Sequence, residues 1–309
     1  MISVIIPTHN RVSMLSKAIE SVLKQTYQDF ELIVVSDASN DGTDEYMNKI
    51  IENDKRIKYI SYSTPYGACY ARNTGIESAQ GEYIAFLDDD DEWLSKKLEE
   101  QLRVFESDHE VGLVYTGYKI LYFLSNNRKI EYFSMHGATG NLSKKILLTN
   151  CIGATSGIMI KTSALDNEIR FDNQLKSVQD YEFLIQICQY IKVKYVKKIL
   201  VNYNNYLNNK NKQISDNVQT YIDAFEYIKN KHKTLYGALN EDELKNRDIK
   251  WHSNIANRFA RNGFKKEARK EYLKVLKMKF SISVFLRFLL CFFDYTISLH
   301  IRSLISRGF

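Results

Sequence analysis

Cysteine and proline are both scarce in this sequence of 309 residues, which contains four cysteines and two prolines. The cysteines lie far apart, with no Cys-x-x-Cys pair and no set of histidines at a spacing suited to zinc. They are Cys69, Cys151, Cys188 and Cys291. The pattern therefore predicts reduced thiols, as in a cytosolic protein, and gives no support for a zinc site.

Two features of exported and membrane-spanning proteins are also missing. Residues 1–6 lead directly into a predicted strand and lack the basic segment and long apolar stretch of a signal peptide. The apolar C-terminal segment, residues 280–309, is interrupted by Arg287 and Asp294, so no apolar run reaches the roughly 18 residues expected of a transmembrane helix. We expect a protein that is neither exported nor inserted across a membrane.

Positive charge is concentrated at the C-terminus. Residues 258–309 carry 12 Lys or Arg and three acidic residues, a net charge of +9, which leaves −3 for residues 1–257 out of the total of +6. Basic residues beside apolar and aromatic ones are typical of a helix that lies on an anionic membrane surface. Packing against the rest of the chain or against another subunit is the alternative. Nucleic-acid binding is not expected, because no groove-reading motif accompanies the basic residues.

The first 110 residues alternate β-branched strands with amphipathic helices, which predicts a parallel sheet with helices on both faces. Predicted strands cover residues 2–6, 31–35, 57–62 and 81–87. The carboxyl ends of parallel strands share one edge, where open α/β sheets bind their ligands. That edge collects Thr8, Asn10, Asp37 and the aspartates 88–91.

The remainder is less regular at first and then helical. Short strands are predicted at 111–116, 119–123, 130–133 and 157–161, a helix at 179–190, and a loop in the Asn- and Lys-rich segment 202–213. From about residue 216 the pattern is helical, with an αα-hairpin of residues 251–261 and 264–277 broken at Asn262-Gly263. We predict a domain at 1–215, with halves 1–110 and 111–215, and a helical region at 216–309.

An acidic run follows the fourth predicted strand, with aspartates at positions 88–91 and then Glu92. Two carboxylates about 4 Å apart repel by roughly 1 kcal/mol in water and by more at a half-buried site, so the run favours a bound cation. Oxygen ligands suit Mg²⁺ or Mn²⁺ better than zinc. The alternative is a solvated acidic loop that caps a helix beginning at Trp93 and Leu94.

Four segments resemble the family 2 glycosyltransferases, which are inverting, nucleotide-sugar-dependent enzymes with the GT-A fold. They are residues 3–11, 31–39, 71–76 and 81–91, in the order and at the spacing of that family. Residues 170–172 followed by 179–184 are similar to the acceptor-side Glu-Asp motif of the family. The resemblance extends over about residues 1–205, and it implies a metal ion at the aspartate run.

The resemblance also implies a nucleotide pocket. By position, Pro7, Thr8 and Asn10 are expected to line the base and ribose, and the carboxylate of Asp37 to accept a hydrogen bond from the uracil edge. For Pro7 and Thr8 the alternative is a strand-ending turn. For Asp37 it is an Asx turn that closes on Ser39.

Within the aspartate run, Asp88, Asp89 and Asp90 occupy the position of the family's Asp-x-Asp motif. The resemblance implies that Asp88 lies near the ribose and that Asp90 binds the Mn²⁺ or Mg²⁺ ion that bridges the diphosphate. Asp89 is either a further donor-site ligand or a solvated cap, and for Asp91 the cap is favoured. Arg72 either faces the nucleotide or pairs with nearby acids.

Asp180 matches the position of the general base, the carboxylate that removes the proton of the acceptor hydroxyl during an inverting transfer. The alternative is that Asp180 caps a helix that begins at Tyr181, a role that can coexist with catalysis. Two departures from the family pattern stand out. Gln179 replaces a common Glu, and residues 203–206 lack the histidine of the family's Tyr-Arg-x-His, a position held here by Tyr206.

Together these features predict an inverting transfer of a sugar from a UDP-sugar to a hydroxyl of a glycan or lipid-linked glycan in bacterial-type cell-surface polysaccharide synthesis. We expect the protein on the cytoplasmic face of the membrane, with residues 258–309 at the anionic lipid surface. A homo-oligomer is compatible with the sequence. A polyprenyl-phosphate glycosyltransferase and a non-catalytic nucleotide-sugar-binding subunit are the alternatives.

Overall fold

A computed structural model describes residues 1–124, 128–165, 168–207 and 217–307 of the chain. Its strands are β1 (Ile2–Thr8), β2 (Phe30–Ser36), β3 (Ile57–Ser61), β4 (Tyr83–Phe86), β5 (Glu92–Trp93), β6 (Val111–Phe123), β7 (Lys129–Ser134), β8 (Gly140–Asn141), β9 (Ile158–Lys161) and β10 (Lys192–Tyr206). The first six helices are α1 (Val12–Leu23), α2 (Thr43–Asn53), α3 (Ala68–Ser78), α4 (Lys97–Ser107), α5 (Ser143–Leu148) and α6 (Gln179–Ile187). The C-terminal helices are α7 (Val218–Lys231), α8 (Lys233–Gly237), α9 (Glu241–Arg261), α10 (Lys265–Met278), α11 (Ile282–Leu290) and α12 (Tyr295–Arg307).

The described strands form one mixed sheet with the order β3-β2-β1-β4-β9-β6-β10-β5, to which β7 and β8 add at β6 and β10. Strands β1 to β4 are parallel, as predicted, and β9 runs antiparallel to both β4 and β6. All seven residues of β1 and of β2 are buried. Burial on both faces is expected of central parallel strands, and it confirms that helices cover both sides.

Alternate residues of β1 belong to different cores. Ile5 packs in one large apolar cluster, whereas Val4 and Ile6 pack in another on the opposite face. Helix α3 approaches the first face so closely that a Cβ atom on Gly75 would lie 2.4 Å from Ile5 Cγ2. A glycine is therefore required where α3 crosses the sheet, and α3 carries Arg72 to the edge of that sheet.

Two predictions for the middle of the chain are wrong, and so is the alternative of a helix that begins at Trp93. Residues 111–123 form a single strand, because β10 pairs with β6 along this whole length. The register of this pairing shifts at irregular positions in β10. Residues 202–206 belong to β10 and not to a loop, because β6 pairs with them. Trp93 lies in β5, paired with Val201, and the following helix begins at Lys97. Residues 208–216, which include the predicted domain boundary, lie outside the described residues.

The C-terminal region is helical, as predicted, and joins the core of the sheet domain. In the αα-hairpin of α9 and α10, Ala256 and Phe259 pack with Ala268 and Tyr272, and Gly263 turns the chain with a φ of +81°. Trp251 of α9 stacks on Phe225 of α7 at 3.6 Å between ring centroids, in the same cluster as the buried residues of α6. Among the described helices, none is both long and apolar enough to cross a bilayer.

Candidate active site

A cavity of about 600 Å³ opens at the carboxyl ends of β1, β2 and β4. This is the sheet edge at which the sequence predicts ligand binding. Most of the predicted site residues line it, namely Pro7, Thr8, Asp37, Arg72, Asp88, Asp89, Asp90 and Asp180. Residues separated by more than 170 positions in the sequence therefore meet in one cavity.

The carboxylate of Asp88 is held by two neighbours. Arg72 Nη2 donates to its carboxylate at 2.7 Å, and the Thr155 hydroxyl donates to both carboxylate oxygens at 3.0 and 3.1 Å. Arg72 also donates to Gln179 Oε1 at 3.0 Å, which links the aspartate run to the start of α6. Arg72 thus pairs with a local acid and lines the cavity as well, so both roles proposed for it from the sequence remain compatible with its position.

Asp89 and Asp90 share a single arginine. Arg11 Nη1 lies 3.0 Å from Asp89 Oδ1 and 3.2 Å from Asp90 Oδ2, and the Thr8 hydroxyl donates to Asp89 Oδ2 at 2.8 Å. Asp89 is buried, and burial raises its pKa while the charge of Arg11 and the hydrogen bonds from Thr8 and Arg11 oppose that rise. Asp89 is therefore a buried link between the ends of β1 and β4 and not a solvated cap.

Asp91 is also buried, with 1% of its surface exposed, and does not form the solvated cap favoured from the sequence. The Ser156 hydroxyl donates to it at 2.6 Å, and the Asn204 backbone N–H donates to it at 2.9 Å. Burial raises the pKa of Asp91 well above its usual value, with the negative charges of Asp90 and Asp88 adding to the rise. This carboxyl ties β10 and the Thr155–Gly157 turn to the acidic run, a packing role that the sequence does not reveal.

Asp37 and Asn10 organise the loops after β2 and β1. The carboxylate of Asp37 accepts the backbone N–H groups of Tyr66 and Gly67 at 2.7 and 2.8 Å, so its main partners lie before α3 and not at Ser39. Asn10 is exposed and is not among the residues that line the cavity. Its backbone has a φ of +53°, and its side-chain oxygen accepts the N–H of Asn40 at 2.7 Å, which fixes the two loops to each other.

Asp180 reaches the cavity from the first turn of α6, which begins one residue earlier, at Gln179. Burial raises its pKa, and the negative charge of Asp88 raises it further. The backbone N–H of Tyr181 and the charges of Arg72 and Arg258 lower it. The net direction is upward, which makes Asp180 a stronger base than an exposed aspartate. Tyr181 belongs to the buried core and does not begin the helix.

Several cavity residues are absent from the sequence-based site. Arg11 lies inside the first family-like segment, but nothing in the sequence pairs it with Asp89 and Asp90. Arg258 comes from α9, 78 positions after Asp180, and was recognised from the sequence only as part of the basic C-terminal charge. Lys176 and Thr155 also line the cavity, on loops without a recognisable motif.

Two tyrosines of β10 lie in the segment that corresponds to the family's Tyr-Arg-x-His, and Tyr206 is the one that takes the place of the histidine. Tyr203 lines the cavity, and burial raises its pKa, with the charge of Asp91 contributing further. Tyr206 stacks on Phe123 at 4.9 Å between ring centroids. Burial raises its pKa to about 12, and the charge of Asp90 adds to this rise. Tyr206 therefore lies within electrostatic range of the acidic run, although a phenol cannot replace a histidine as a metal ligand near neutral pH.

The carboxylates of the acidic run fit a hard divalent cation. No cluster of three or more His, Cys, Asp or Glu in the described ranges is arranged to hold a metal ion alone. Mg²⁺ is commonly held by one or two carboxylates together with substrate phosphates. Asp90, whose carboxylate is 13% exposed and lines the cavity, can supply such a ligand, and Asp88 lies beside it with an exposed fraction of 25%.

The family model described as Glycosyl transferase family 2 matches residues 3–165. The putative colanic acid biosynthesis glycosyl transferase WcaA of Escherichia coli is 30% identical over 285 residues, which cover 85% of this chain and 95% of WcaA. An Escherichia coli enzyme, the UDP-Glc:alpha-D-GlcNAc-diphosphoundecaprenol beta-1,3-glucosyltransferase WfgD, is 37% identical over 52% of this chain and 61% of its own length. Across WfgD and four further curated relatives, the matched region spans 25% to 61% of the relative's length.

Solved structures agree on the fold. TarS 1-349 of S. aureus in complex with UDP-GlcNAc has a TM-score of 0.63 at 20% identity, covering 99% of this chain and 90% of that one. The mannosyltransferase PcManGT of Pyrobaculum calidifontis, in complex with GDP-Man and Mn²⁺, has a TM-score of 0.62 at 14% identity, covering 98% of this chain and 83% of that one. The predicted α/β fold is confirmed, and this chain belongs to glycosyl transferase family 2 with the GT-A fold.

Proposed function

We propose that this protein is an inverting, metal-dependent glycosyltransferase that moves a sugar from a UDP-sugar to a hydroxyl of a glycan or lipid-linked glycan in cell-surface polysaccharide synthesis. The observation that carries the proposal is that one cavity joins the aspartates 88–90 to Asp180. The names of WfgD and WcaA support the class of pathway, and the UDP-GlcNAc complex of TarS supports the class of donor.

The donor is assigned to the side of the cavity formed by the ends of β1, β2 and β4. On that side, we assign Asp37 and Pro7 to binding of the nucleoside, Asp88 to the ribose and Asp90 to the cation. A bound Mn²⁺ or Mg²⁺ would neutralise charge that develops on the departing diphosphate. Arg11, Arg72 and Lys176 line the same cavity and place further positive charge near the diphosphate.

Asp180 is assigned as the general base. Its carboxylate accepts the proton of the acceptor hydroxyl while the hydroxyl oxygen bonds to the anomeric carbon and the bond to the diphosphate breaks on the opposite face. Because burial raises the pKa of Asp180, the proton transfer is more favourable than to an ordinary aspartate. Arg72 links the acidic run to the start of α6, since it donates hydrogen bonds to Asp88 and to Gln179, the residue before Asp180.

We also propose that the protein acts at the cytoplasmic face of the membrane, in contact with anionic lipid. Helices α11 and α12 expose large apolar side chains, most strongly Phe280, Ile282 and Phe292 around α11 and Leu304 and Ile305 on α12, each with more than half of its surface accessible. Basic residues of α10 lie in the adjacent sequence. The division of the chain into a domain at 1–215 and a helical region at 216–309 remains part of the proposal, although α9 contributes Arg258 to the cavity.

The donor class is tested by thermal shift with UDP, GDP, dTDP and CMP, each with Mn²⁺, Mg²⁺ or EDTA. A ligand at 100 times its dissociation constant stabilises the native state by about 2.7 kcal/mol, so occupancy of the cavity is measurable. We expect stabilisation by UDP that depends on the metal. Stabilisation without any turnover on lipid-linked or glycan acceptors would favour a binding subunit, and no response to any nucleotide would contradict the proposal.

A further inference from the structure

A second cavity, of about 330 Å³, adjoins the first. Val178, Asp180, Tyr203 and Arg258 line both cavities. The second cavity lies between the sheet domain and the C-terminal helices α7 and α9. A molecule held in it would therefore reach the donor cavity beside Asp180, the residue to which we assign proton removal.

The lining of the second cavity is strongly basic. It includes Arg247, Lys250, Arg258 and Arg261 of α9, against a single acidic residue, Asp180. Arg258 lies over the ring of Tyr221 at 3.7 Å, and Arg261 lies over the ring of Tyr122 at 5.8 Å. Stacking on an aromatic face restrains the position of a guanidinium. The excess of positive charge indicates a negatively charged ligand.

A buried donor supports the same conclusion. Asn205 of β10 lines the second cavity with only 2% of its surface exposed, and its side-chain nitrogen has no hydrogen-bond partner in the structure. An unpaired buried polar group costs about 1–3 kcal/mol, a cost that a ligand oxygen would remove. Asn205 thus provides a neutral donor in a cavity that is also lined by cations of α9, among which Arg247 is paired with Asp248 at 2.6 Å.

We propose that the second cavity is the acceptor subsite and that it binds a phosphate or diphosphate ester carried by the acceptor. The phosphate lies among Lys250, Arg258 and Arg261, and the reactive hydroxyl lies at Asp180, where the two cavities meet. This inference rests on the proposed glycosyl transfer and adds the chemical class of the acceptor. A phosphorylated lipid and a phosphate without a lipid are both sources of this group.

The surroundings of the cavity are compatible with a lipid-linked source. Tyr122 and Tyr132 line it, and both pack in one apolar cluster with Tyr295 and Leu299 of α12. Farther along α12, Leu304 and Ile305 are exposed. An apolar chain attached to the phosphate would therefore find the exposed apolar face of α12 close to the basic cavity.

The test measures binding to the full chain with UDP and Mg²⁺ at saturation, so that the donor cavity is filled. Farnesyl phosphate, farnesol and inorganic phosphate serve as probes by titration calorimetry. We compare the wild type with the double variant Lys250→Gln/Arg261→Gln and with Lys245→Gln, a control that removes an exposed charge from the same helix outside the cavity lining. We expect the double variant to bind farnesyl phosphate at least about tenfold more weakly, because a charged hydrogen bond contributes about 1.5–3 kcal/mol. The affinity of the control variant for farnesyl phosphate should stay within about twofold of the wild-type value, a change of less than about 0.5 kcal/mol. The same limit applies to the affinity of both variants for UDP.

Each outcome bears on a distinct claim. Tighter binding of farnesyl phosphate than of both other probes indicates a lipid-linked acceptor, whereas equal binding of inorganic phosphate indicates a phosphate recognised without a lipid. Equal affinity of the wild type for farnesyl phosphate and farnesol, or an unchanged affinity in a folded double variant, would overturn the inference while UDP binding persists. If the wild type fails to bind UDP, the proposed function is wrong, and the acceptor role of the second cavity is wrong with it.

Discussion

Arg11 Nη1 lies 3.2 Å from Oδ2 of Asp90. The same nitrogen lies 3.0 Å from Asp89, so one guanidinium forms ion pairs with two carboxylates at the end of β4. A divalent cation bound by Asp90 would share this negative charge with Arg11. Arg11 is therefore expected both to stabilise the folded protein before the cation binds and to weaken the binding of that cation.

The substitution Arg11→Gln separates these two effects. It leaves the buried carboxylate of Asp89 without its cation, and we expect the free energy of unfolding to fall by about 1–3 kcal/mol. Mn²⁺ alone should then raise the melting temperature more in the variant than in the wild type, because the uncompensated charge attracts it. Arg103→Gln, which removes a mostly exposed arginine, is the control. An equal response of variant and wild type to Mn²⁺ would show that the cation is not bound near Arg11.

Asp90→Asn tests the assignment of the metal ligand. Because an amide is neutral, we expect the Mn²⁺-dependent part of the stabilisation by UDP to disappear while the fold persists. The measurement is the melting temperature with UDP in the presence of Mn²⁺ or EDTA. Glu45→Gln removes an exposed carboxylate elsewhere and should leave the response unchanged. A full metal-dependent shift in Asp90→Asn would assign the ion to other ligands.

The pH dependence of transfer reports on Asp180 and Arg258. A general base acts only when deprotonated, so activity falls as the pH drops through its pKa. Because burial raises the pKa of Asp180 above its ordinary value of 3.8, the acidic limb of the kcat profile should lie above that value. Arg258 lowers the pKa of Asp180, so Arg258→Gln should move this limb to higher pH.

The control for this shift is Lys245→Gln, an exposed residue on the same helix, whose profile should match that of the wild type. Melting temperatures establish that each variant is folded. A lower kcat in Arg258→Gln with an unchanged acidic limb would mean that Arg258 does not act on the proton of Asp180.

Membrane contact is tested by placing charge on the exposed apolar face. The double variant Leu286→Glu/Phe293→Glu alters two side chains that are 53% and 55% exposed, so its folding should be little affected. We expect it to lose binding to vesicles that contain phosphatidylglycerol, because charged side chains oppose burial in the interface. Sedimentation with vesicles is the measurement, and Tyr190→Glu, at a residue that is 76% exposed on another part of the protein, is the control. Unchanged vesicle binding together with a loss of oligomers would assign this face to a subunit interface.

The first half of the fold was accessible from the sequence because its signals are local. Residues 2–8 and 30–36 are apolar strands followed by polar turns, and helix α2 lies between the second and third predicted strands, as the alternation of strands and helices predicts. The parallel sheet, the binding edge and most of the cavity residues follow from this alternation together with the family-like segments. The αα-hairpin was also predicted, since Gly263 marks its turn.

The features that were missed depend on pairing across long distances. The polar segment Asn202 to Tyr206 is a strand because β6 lies beside it, and Asp91 is buried because Ser156 and Asn204 satisfy its carboxylate. Arg258 reaches Asp180 only because α9 packs on α7 and the core of the sheet domain. No periodicity or motif in one sequence encodes these contacts.

The most direct test of the account compares transfer and donor binding in Asp180→Asn. Asparagine preserves the shape of the side chain but cannot accept the proton. We expect UDP and Mn²⁺ to bind as in the wild type, while transfer from a UDP-sugar falls by a factor of about 10²–10⁴, the usual contribution of a general base. Retention of wild-type transfer rates in Asp180→Asn would contradict the assignment of Asp180 as the base and with it the proposed mechanism.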